Sequence, residues 1–359
     1  VTRIPTAAVL SFRLGGSDGV SVESAKWRWA LAELGFTTVT VAGEGPVDRT
    51  LPGLSMRGVA DPPSQRELAA ALDDADLVIV ENLCSLPLNR PAARAVARVL
   101  TGRPAVLHHH DLPWQRPQFV DDPPPPVDPR WSQVTINELS RRELADRGIS
   151  AHTIYNAFAV PSGPGHAQVG ADAAGGDRAR QEVRAALGIE PDQRLVLQPT
   201  RAIPRKNVGA GMVVATALGA VYWLLGPAED GFGSELDSLV AAAECPVLLG
   251  LPDGLDELDV DHAYRACDVV ALPSTWEGFG NPTVESVVHR KPLVIGPYPV
   301  GQELAAFGFD WFALSETDRL RRWLDHPDPA LLERNLAVAR HHFSLEDLPA
   351  KIASTLPEL

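Results

Sequence analysis

Asp268-Val-Val-Ala-Leu-Pro-Ser-Thr-Trp-Glu277-Gly-Phe-Gly-Asn-Pro-Thr-Val-Glu285 is the stretch that decides how this chain folds. The apolar run ending at Leu272 reads as a strand buried on both faces, the pattern of a parallel sheet. A helix start follows: Asn281 can cap, and Pro282 fits the first turn. Strand, glycine turn and helix N-terminus in that order make an anion site. Glu277 falls in the turn and Glu285 inside the first helical turns, eight positions on. Carboxylates do not bind phosphate, so the pair points to hydroxyls beside the anion, those of a sugar or a ribose.

Outward from this stretch, apolar strand-like runs alternate with helical patterns through both halves. The first half reads as strands at Ala8–Phe12, Thr38–Ala42, Leu77–Glu81, Ala105–His108, Val134–Ile136 and Thr153–Tyr155. The second half reads as Leu195–Gln198, Val221–Leu225, Val247–Leu249, Val269–Leu272 and Leu293–Ile295. Helices are expected between them, among others over Val20–Leu34 and Arg180–Leu187. Such alternation predicts an α/β chain of two doubly wound domains, residues 1–160 and 180–339. Residues 161–179, rich in Gly, Ala and Ser, read as a linker or flexible loop. Pro123–Pro126 reads as a rigid strut or a partner motif. Over 340–359, Leu345, Leu348, Ile352 and Leu356 recur at helical spacing, with Pro349 tolerable in a first turn.

The 359 residues carry a net charge of -14, which argues against nucleic acid as a partner. Arg90, Arg94 and Arg98 are read as a solvated helix face. No apolar run reaches the length of a membrane span, and Val1–Leu10 lacks the pattern of a signal peptide. Cys84, Cys245 and Cys267 are scattered, with neither a metal spacing nor a disulfide framework. A cytoplasmic protein is therefore expected.

At the end of the strand Leu195–Gln198 comes Pro199-Thr-Arg201-Ala-Ile-Pro-Arg205-Lys206-Asn207. An arginine and a lysine at the carboxyl end of a strand suit a diphosphate, one as a fork of donors and the other as a compact charge. In the first half, Arg13-Leu-Gly15-Gly16-Ser-Asp18-Gly19-Val20 follows a strand and opens a helix that should bury Val20, Trp27, Ala30, Leu31 and Leu34. Glycine there lets backbone amides approach an anion. Gly16, Ser17, Asp18 and Gly19 either touch acceptor or phosphate or form a plain turn. His108–His110 is a run of histidines, and adjacent side chains diverge too far for a ready metal site. Trp114 either stacks on a sugar or is a half-buried core residue, and Asn82 is a candidate for reading hydroxyls. Asp121-Asp122 reads as a polar loop, not a metal motif.

Pro-Ser-x-x-Glu277-Gly-Phe-Gly-Asn-Pro-x-x-Glu285 resembles the Glu-x7-Glu motif of retaining glycosyltransferases of family 4. Arg201 and Lys206 match that family's Arg-x4-Lys diphosphate clamp. The resemblance is strongest from Leu195 to Glu303 and looser before Asn156. It implies a GT-B fold, two Rossmann-like domains facing across a cleft, with the last helix packed back on the first. It also implies transfer of a sugar from a nucleoside diphosphate sugar to a small-molecule or glycan acceptor hydroxyl, with retention and without a divalent metal or other cofactor. Glu277 and His110 would then position the donor sugar, with Asp111 aligning the imidazole. Arg201 and Lys206 would hold the leaving diphosphate, and Glu285 the ribose. Gly278, Phe279, Gly280 and Val284 would line the donor site, and the Gly250-Leu251-Pro252 turn would meet the base through its backbone. Gly296–Glu303 would form the far wall of the pocket or a structural turn. Asn137 stands where the family has serine. Around Asn156 the family's glycine and aspartate are absent, which leaves acceptor contacts open. The rival readings are a catalytically silent nucleotide-sugar-binding protein and a GT-B epimerase or phosphorylase.

Overall fold

A computed structural model describes residues 3–16, 18–56, 61–161, 173–251 and 259–359. The chain divides into two compact units, Val1–Ala157 with Leu345–Leu359, and Phe158–Ser344.

The first unit is built on a sheet of seven strands: β1 (Thr6–Arg13), β2 (Thr37–Glu44), β3 (Arg49–Thr50), β4 (Leu77–Glu81), β5 (Ala105–His109), β6 (Trp131–Thr135) and β7 (His152–Thr153). Their order is β3-β2-β1-β4-β5-β6-β7, and every pairing is parallel. Alternate side chains of β1 enter separate cores. Ala8, Leu10 and Phe12 join Val78 and Val80 on one face, while Ala7 and Val9 join Leu77 and Ile79 on the other. That two-sided burial is why the strands read as continuous apolar runs. The second face is closed by the helix Gly19–Glu33 through Trp27, Ala30 and Leu31, and by the C-terminal helix Leu348–Ala353 through Leu348 and Ile352. Burying two such side chains contributes roughly 1.5–3 kcal/mol each. Pro349 falls in the first turn of that helix.

The second unit carries six parallel strands: β8 (Leu195–Gln198), β9 (Val221–Leu224), β10 (Val247–Leu249), β11 (Val269–Leu272), β12 (Leu293–Ile295) and β13 (Phe312–Ala313). The order is β10-β9-β8-β11-β12-β13. Counted from the start of each unit, both sheets begin 3-2-1-4-5-6, the doubly wound order. Each therefore has a switch point where the chain order reverses, between β1 and β4 and between β8 and β11, and ligands bind outside the carboxyl ends there.

Several details depart from the sequence reading. β3 and β13 were not expected: two residues at a sheet edge leave no periodicity to read. β6 begins earlier than predicted, on Trp131-Ser-Gln, and β7 ends before Tyr155. The helix Ala173–Ala186 starts inside the stretch read as linker. Residues 162–172 of that stretch, Ser17 and Pro252 lie outside the described residues. On the helix Gly19–Glu33 the buried face carries Ser21, Glu23 and Ser24, while Val20 and Leu34 are only half-buried. Asn281 precedes the helix Pro282–Val288 but has right-handed helical backbone angles, and its side chain makes no capping bond. Among the described residues no helix is long and apolar enough to cross a membrane. Cys84, Cys245 and Cys267 are all buried free thiols, and burial pushes Cys84 up to about 12 and Cys267 to about 11.

Candidate functional site

At the switch point of the second sheet, the loops after β8 and β11 are stitched together. Thr275 N–H donates to the carbonyl of Arg205 at 2.9 Å, and the Asn207 amide to the carbonyl of Pro273 at 3.3 Å. Asn207 adopts the left-handed conformation, φ 50°, that turns the chain from the short 3-10 turn Pro204–Lys206 into the helix Val208–Leu218. The stitching brings Glu277 between two cations. Lys206 Nζ stands 2.5 Å from Oε1, Arg205 donates to Oε2 at 2.8 Å, and the Ser274 hydroxyl adds a bond at 2.5 Å. Glu277 is buried, and burial alone would raise its pKa. Lys206 and Arg205 outweigh that and hold it at about 2. Burial lowers Lys206, which Glu277 in part offsets. Arg201, half-exposed on the same loop, pairs with Glu229 at 2.6 Å. Three cations face two carboxylates, so the loop keeps a net positive charge where an anion would dock.

The glycine turn is braced from behind. Gly280 has φ +89°, and a Cβ there would lie 2.4 Å from the Tyr298 hydroxyl, which donates to the carbonyl of Phe279 at 3.1 Å. Gly296–Glu303, read as a pocket wall or a proline turn, thus places its Tyr298 as a brace. Phe279, expected at the donor, buries its ring against Phe158 and Phe343, and the Val284 side chain is fully buried. Only the backbone of these two is left for a ligand. Gly278 is half-buried in the turn. Glu285, half-buried, accepts a bond from Tyr264 at 2.7 Å, and Tyr264 lies flat on His289 at 4.6 Å. The Gly250 N–H donates to Leu224 and its carbonyl accepts from the Trp223 indole at 2.7 Å. Both its backbone groups are bonded at the sheet edge. Leu251 beside it is exposed.

At the switch point of the first sheet, Glu81 at the end of β4 accepts on Oε2 from His108 Nδ1 at 2.8 Å and His110 Nε2 at 2.7 Å. Burial would raise Glu81, but His108 and His110 bring it down to about 2. Burial likewise pulls His110 down, and the Glu81 bond overrides it, leaving His110 above the ordinary histidine value. His109 points to the opposite face, bonds Gln133 at 2.7 Å, and is pushed down to about 4 by burial. Asn82, at φ 61°, accepts from the backbone N–H of both His110 and Asp111 at 3.1 Å. Its side-chain oxygen thus shapes the loop. Asp111 pairs with Arg116 at 2.9 Å, so Glu81, not Asp111, aligns the His110 ring. Asp18 caps the helix Gly19–Glu33 through Ser21 and pairs with Arg13 at 3.2 Å, which is the plain-turn reading. Gly19 opens that helix, and a Cβ added at Gly16 would lie 3.3 Å from an Asp18 carboxylate oxygen. Trp114 is half-buried: Arg147 covers one face at 3.6 Å and the indole N–H donates to Glu143. Asn137 caps the helix Glu138–Ala145.

The sequence reading missed Glu81 and His108. Both end apolar runs and read as strand residues. A glutamate closing the run Leu77-Val-Ile-Val, level with a histidine run on the next strand, was the available signal.

No protein-family model matches the chain. Among curated proteins, mannosylglucosylglycerate synthase of Thermotoga maritima is 26% identical over 432 residues, spanning 95% of this chain and 97% of that protein. D-inositol 3-phosphate glycosyltransferase of Mycobacterium sp. strain KMS is 28% identical over 351 residues, spanning 85% and 74%. Among solved structures, Anabaena HepE in complex with UDP-glucose superposes with a TM-score of 0.70 at 18% identity, covering 98% of both chains. Sucrose-phosphate synthase of Thermosynechococcus elongatus does so with a TM-score of 0.69 at 14% identity, again over 98% of both. The fold is GT-B. The curated relatives are glycosyltransferases.

Proposed function

We propose that this chain is a retaining glycosyltransferase of the family 4 type, moving a sugar from a nucleoside diphosphate sugar to an acceptor hydroxyl without a divalent metal. The observation that carries the reading is Glu277 held between Lys206 and Arg205 at the switch point of the second sheet, eight residues before Glu285. As the glycosidic bond breaks, the leaving diphosphate gains charge. Lys206 and Arg201 stabilise it from positions fixed beforehand, the form of catalysis in which oriented charges contribute most. Those cations do the work a metal would otherwise do. Glu277, ionised throughout the neutral range, faces the transferred sugar, and Glu285, oriented by Tyr264, takes the ribose hydroxyls. His110 supplies a hydrogen bond to a sugar hydroxyl from the rim of the first sheet. Substitution on one face within an ion-pair-like transition state needs no covalent nucleophile.

The HepE complex with UDP-glucose makes that donor the first to try, and the relatives' names make small polar acceptors, D-inositol 3-phosphate among them, the first acceptors. Buried free thiols fit the expected cytoplasmic setting. The test is transfer or donor hydrolysis from UDP-, GDP- and ADP-glucose in excess EDTA, with the product anomer read by proton NMR. Turnover insensitive to EDTA with an α-product is expected. An inverted product, or activity abolished by EDTA, contradicts the retaining or metal-free part. Nucleotide binding without turnover on any acceptor favours the silent binding protein.

A further inference from the structure

Glu81, His108 and His110 form a closed cluster at the rim of the first sheet. Glu81 is 0% exposed, His108 1% and His110 6%. The two imidazoles lie 4.5 Å apart, and Trp27 packs on His108 at 4.2 Å. Around them stand the buried Glu23, paired with Lys26 on the helix Gly19–Glu33, and Asp111, paired with Arg116 on the loop after β5. His109 is turned to Gln133.

A carboxylate oxygen only accepts, so both ring nitrogens facing Oε2 carry hydrogens. His108 therefore donates through Nδ1, and its Nε2 is buried with no partner among the described residues. A hydrogen there would be an unpaired buried donor on a cation, so His108 is the neutral ring; burial lowers its pKa accordingly. His110 spends Nε2 on Glu81, and Nδ1 is the ring nitrogen it has left. The three ligating atoms could also hold a metal ion. Metal bonds of about 2.0–2.1 Å in a tetrahedral site hold ligand atoms roughly 3.3 Å apart. The observed 2.7 and 2.8 Å match shared hydrogens instead.

We propose that Glu81 and His108 are positioning residues that lock His110 with Nε2–H on the carboxylate, so that its Nδ1–H serves as a charged donor to a hydroxyl or phosphate oxygen of the sugar substrate. Asn82 fixes the backbone of the same loop. The identity of the ligand rests on the glycosyltransferase reading; the state of the ring does not.

The test is histidine-labelled nitrogen NMR of the full chain, with His110 assigned from the His110→Asn spectrum. Wild-type His110 is expected to titrate above pH 6.5, with hydrogen retained on Nε2 once it does. In Glu81→Gln it should titrate at or below 6.5, and transfer should fall by roughly tenfold or more with a shifted pH profile. UDP should bind this variant as it binds wild type. Wild-type His110 neutral at pH 6.5, or bearing its hydrogen on Nδ1 alone, would overturn the proposal without use of any variant. Stoichiometric Zn²⁺ uptake lost in His108→Asn would overturn it in favour of a metal. Failure of UDP to bind wild type while the NMR result holds would count against the glycosyltransferase reading and leave the locked ring in place.

Discussion

Each sheet buries a carboxylate at its switch point, and the partners differ. Glu81 sits under two imidazoles, and Glu277 between a lysine and an arginine. Both are held at about 2. At Glu277 the countercharges are a lysine and an arginine, whose ordinary titration lies far above that of histidine, so the loop suits an anion that must be held across the neutral range. At Glu81 the countercharge is a histidine, whose protonation lies within reach of neutral pH. One rim is a permanent electrostatic cradle, while the other is tunable.

The strongest way to break this contrast is to remove a fixed charge. Lys206→Ala should lower kcat/KM by about 100-fold or more, the scale of losing one oriented donor to a leaving group. Steady-state kinetics with UDP-glucose would show it. A loss of similar size in Asp18→Ala, a capping residue of the first rim, would erase the distinction between the rims.

The tunable rim should be visible in stability against pH. His109 has a folded pKa of about 4, below its ordinary value near 6.5. Its contribution is thus present above 6.5 and lost as pH falls towards 4, on the order of 3 kcal/mol for a group this deeply buried. His110, raised by Glu81, has the opposite sign: its contribution is complete below 6.5 and fades as pH rises through the raised value. Glu81 and Glu277 lose theirs only below 4.5, as pH approaches 2. Urea melts at pH 7, 5 and 4 should therefore show wild type losing more stability than His109→Gln over that range. Equal losses would remove His109 from the account.

Much of this was legible in the sequence. The inner strands announced themselves because burial on both faces leaves no room for polar residues, as in Leu77–Val80 or Val269–Leu272. Lys206, Glu277 and Glu285 were legible because a short loop and a glycine turn fix where their backbones go. Long-range pairing was not legible. Nothing local says that Glu81 meets His110 across 29 positions, that Tyr298 fills the space above Gly280, or that Gly250 gives both backbone groups to its own sheet. Each depends on which strands become neighbours. The burial of the Phe279 ring against Phe158 and Phe343 was equally illegible, because an aromatic in a binding motif can serve the core as well as the ligand.

A smaller effect tests the brace on the fixed rim. Gly280→Ala should destabilise the second unit by about 1–3 kcal/mol, since it strains a positive φ and meets the Tyr298 hydroxyl. Tyr298→Phe in the same chain should restore part of that loss. Thermal melts of the four proteins give the coupling, and strict additivity would show that the hydroxyl is not the obstacle. Smaller still, Tyr264→Phe removes one hydrogen bond from Glu285, about 0.5–1.5 kcal/mol, and should raise the KM for donor several-fold with kcat nearly unchanged. A change confined to kcat would move Glu285 away from the ribose.

Binding of a nucleoside diphosphate at the second rim through Lys206 is the central claim. The direct measurement is thermal stability of wild type and Lys206→Ala against UDP, GDP, ADP, CMP and TDP. A ligand at about 100 times its dissociation constant adds about 2.7 kcal/mol, which shifts the melt by several degrees. One diphosphate should stabilise wild type and leave Lys206→Ala unmoved. Stabilisation of both proteins alike, or of neither by any nucleotide, would contradict it.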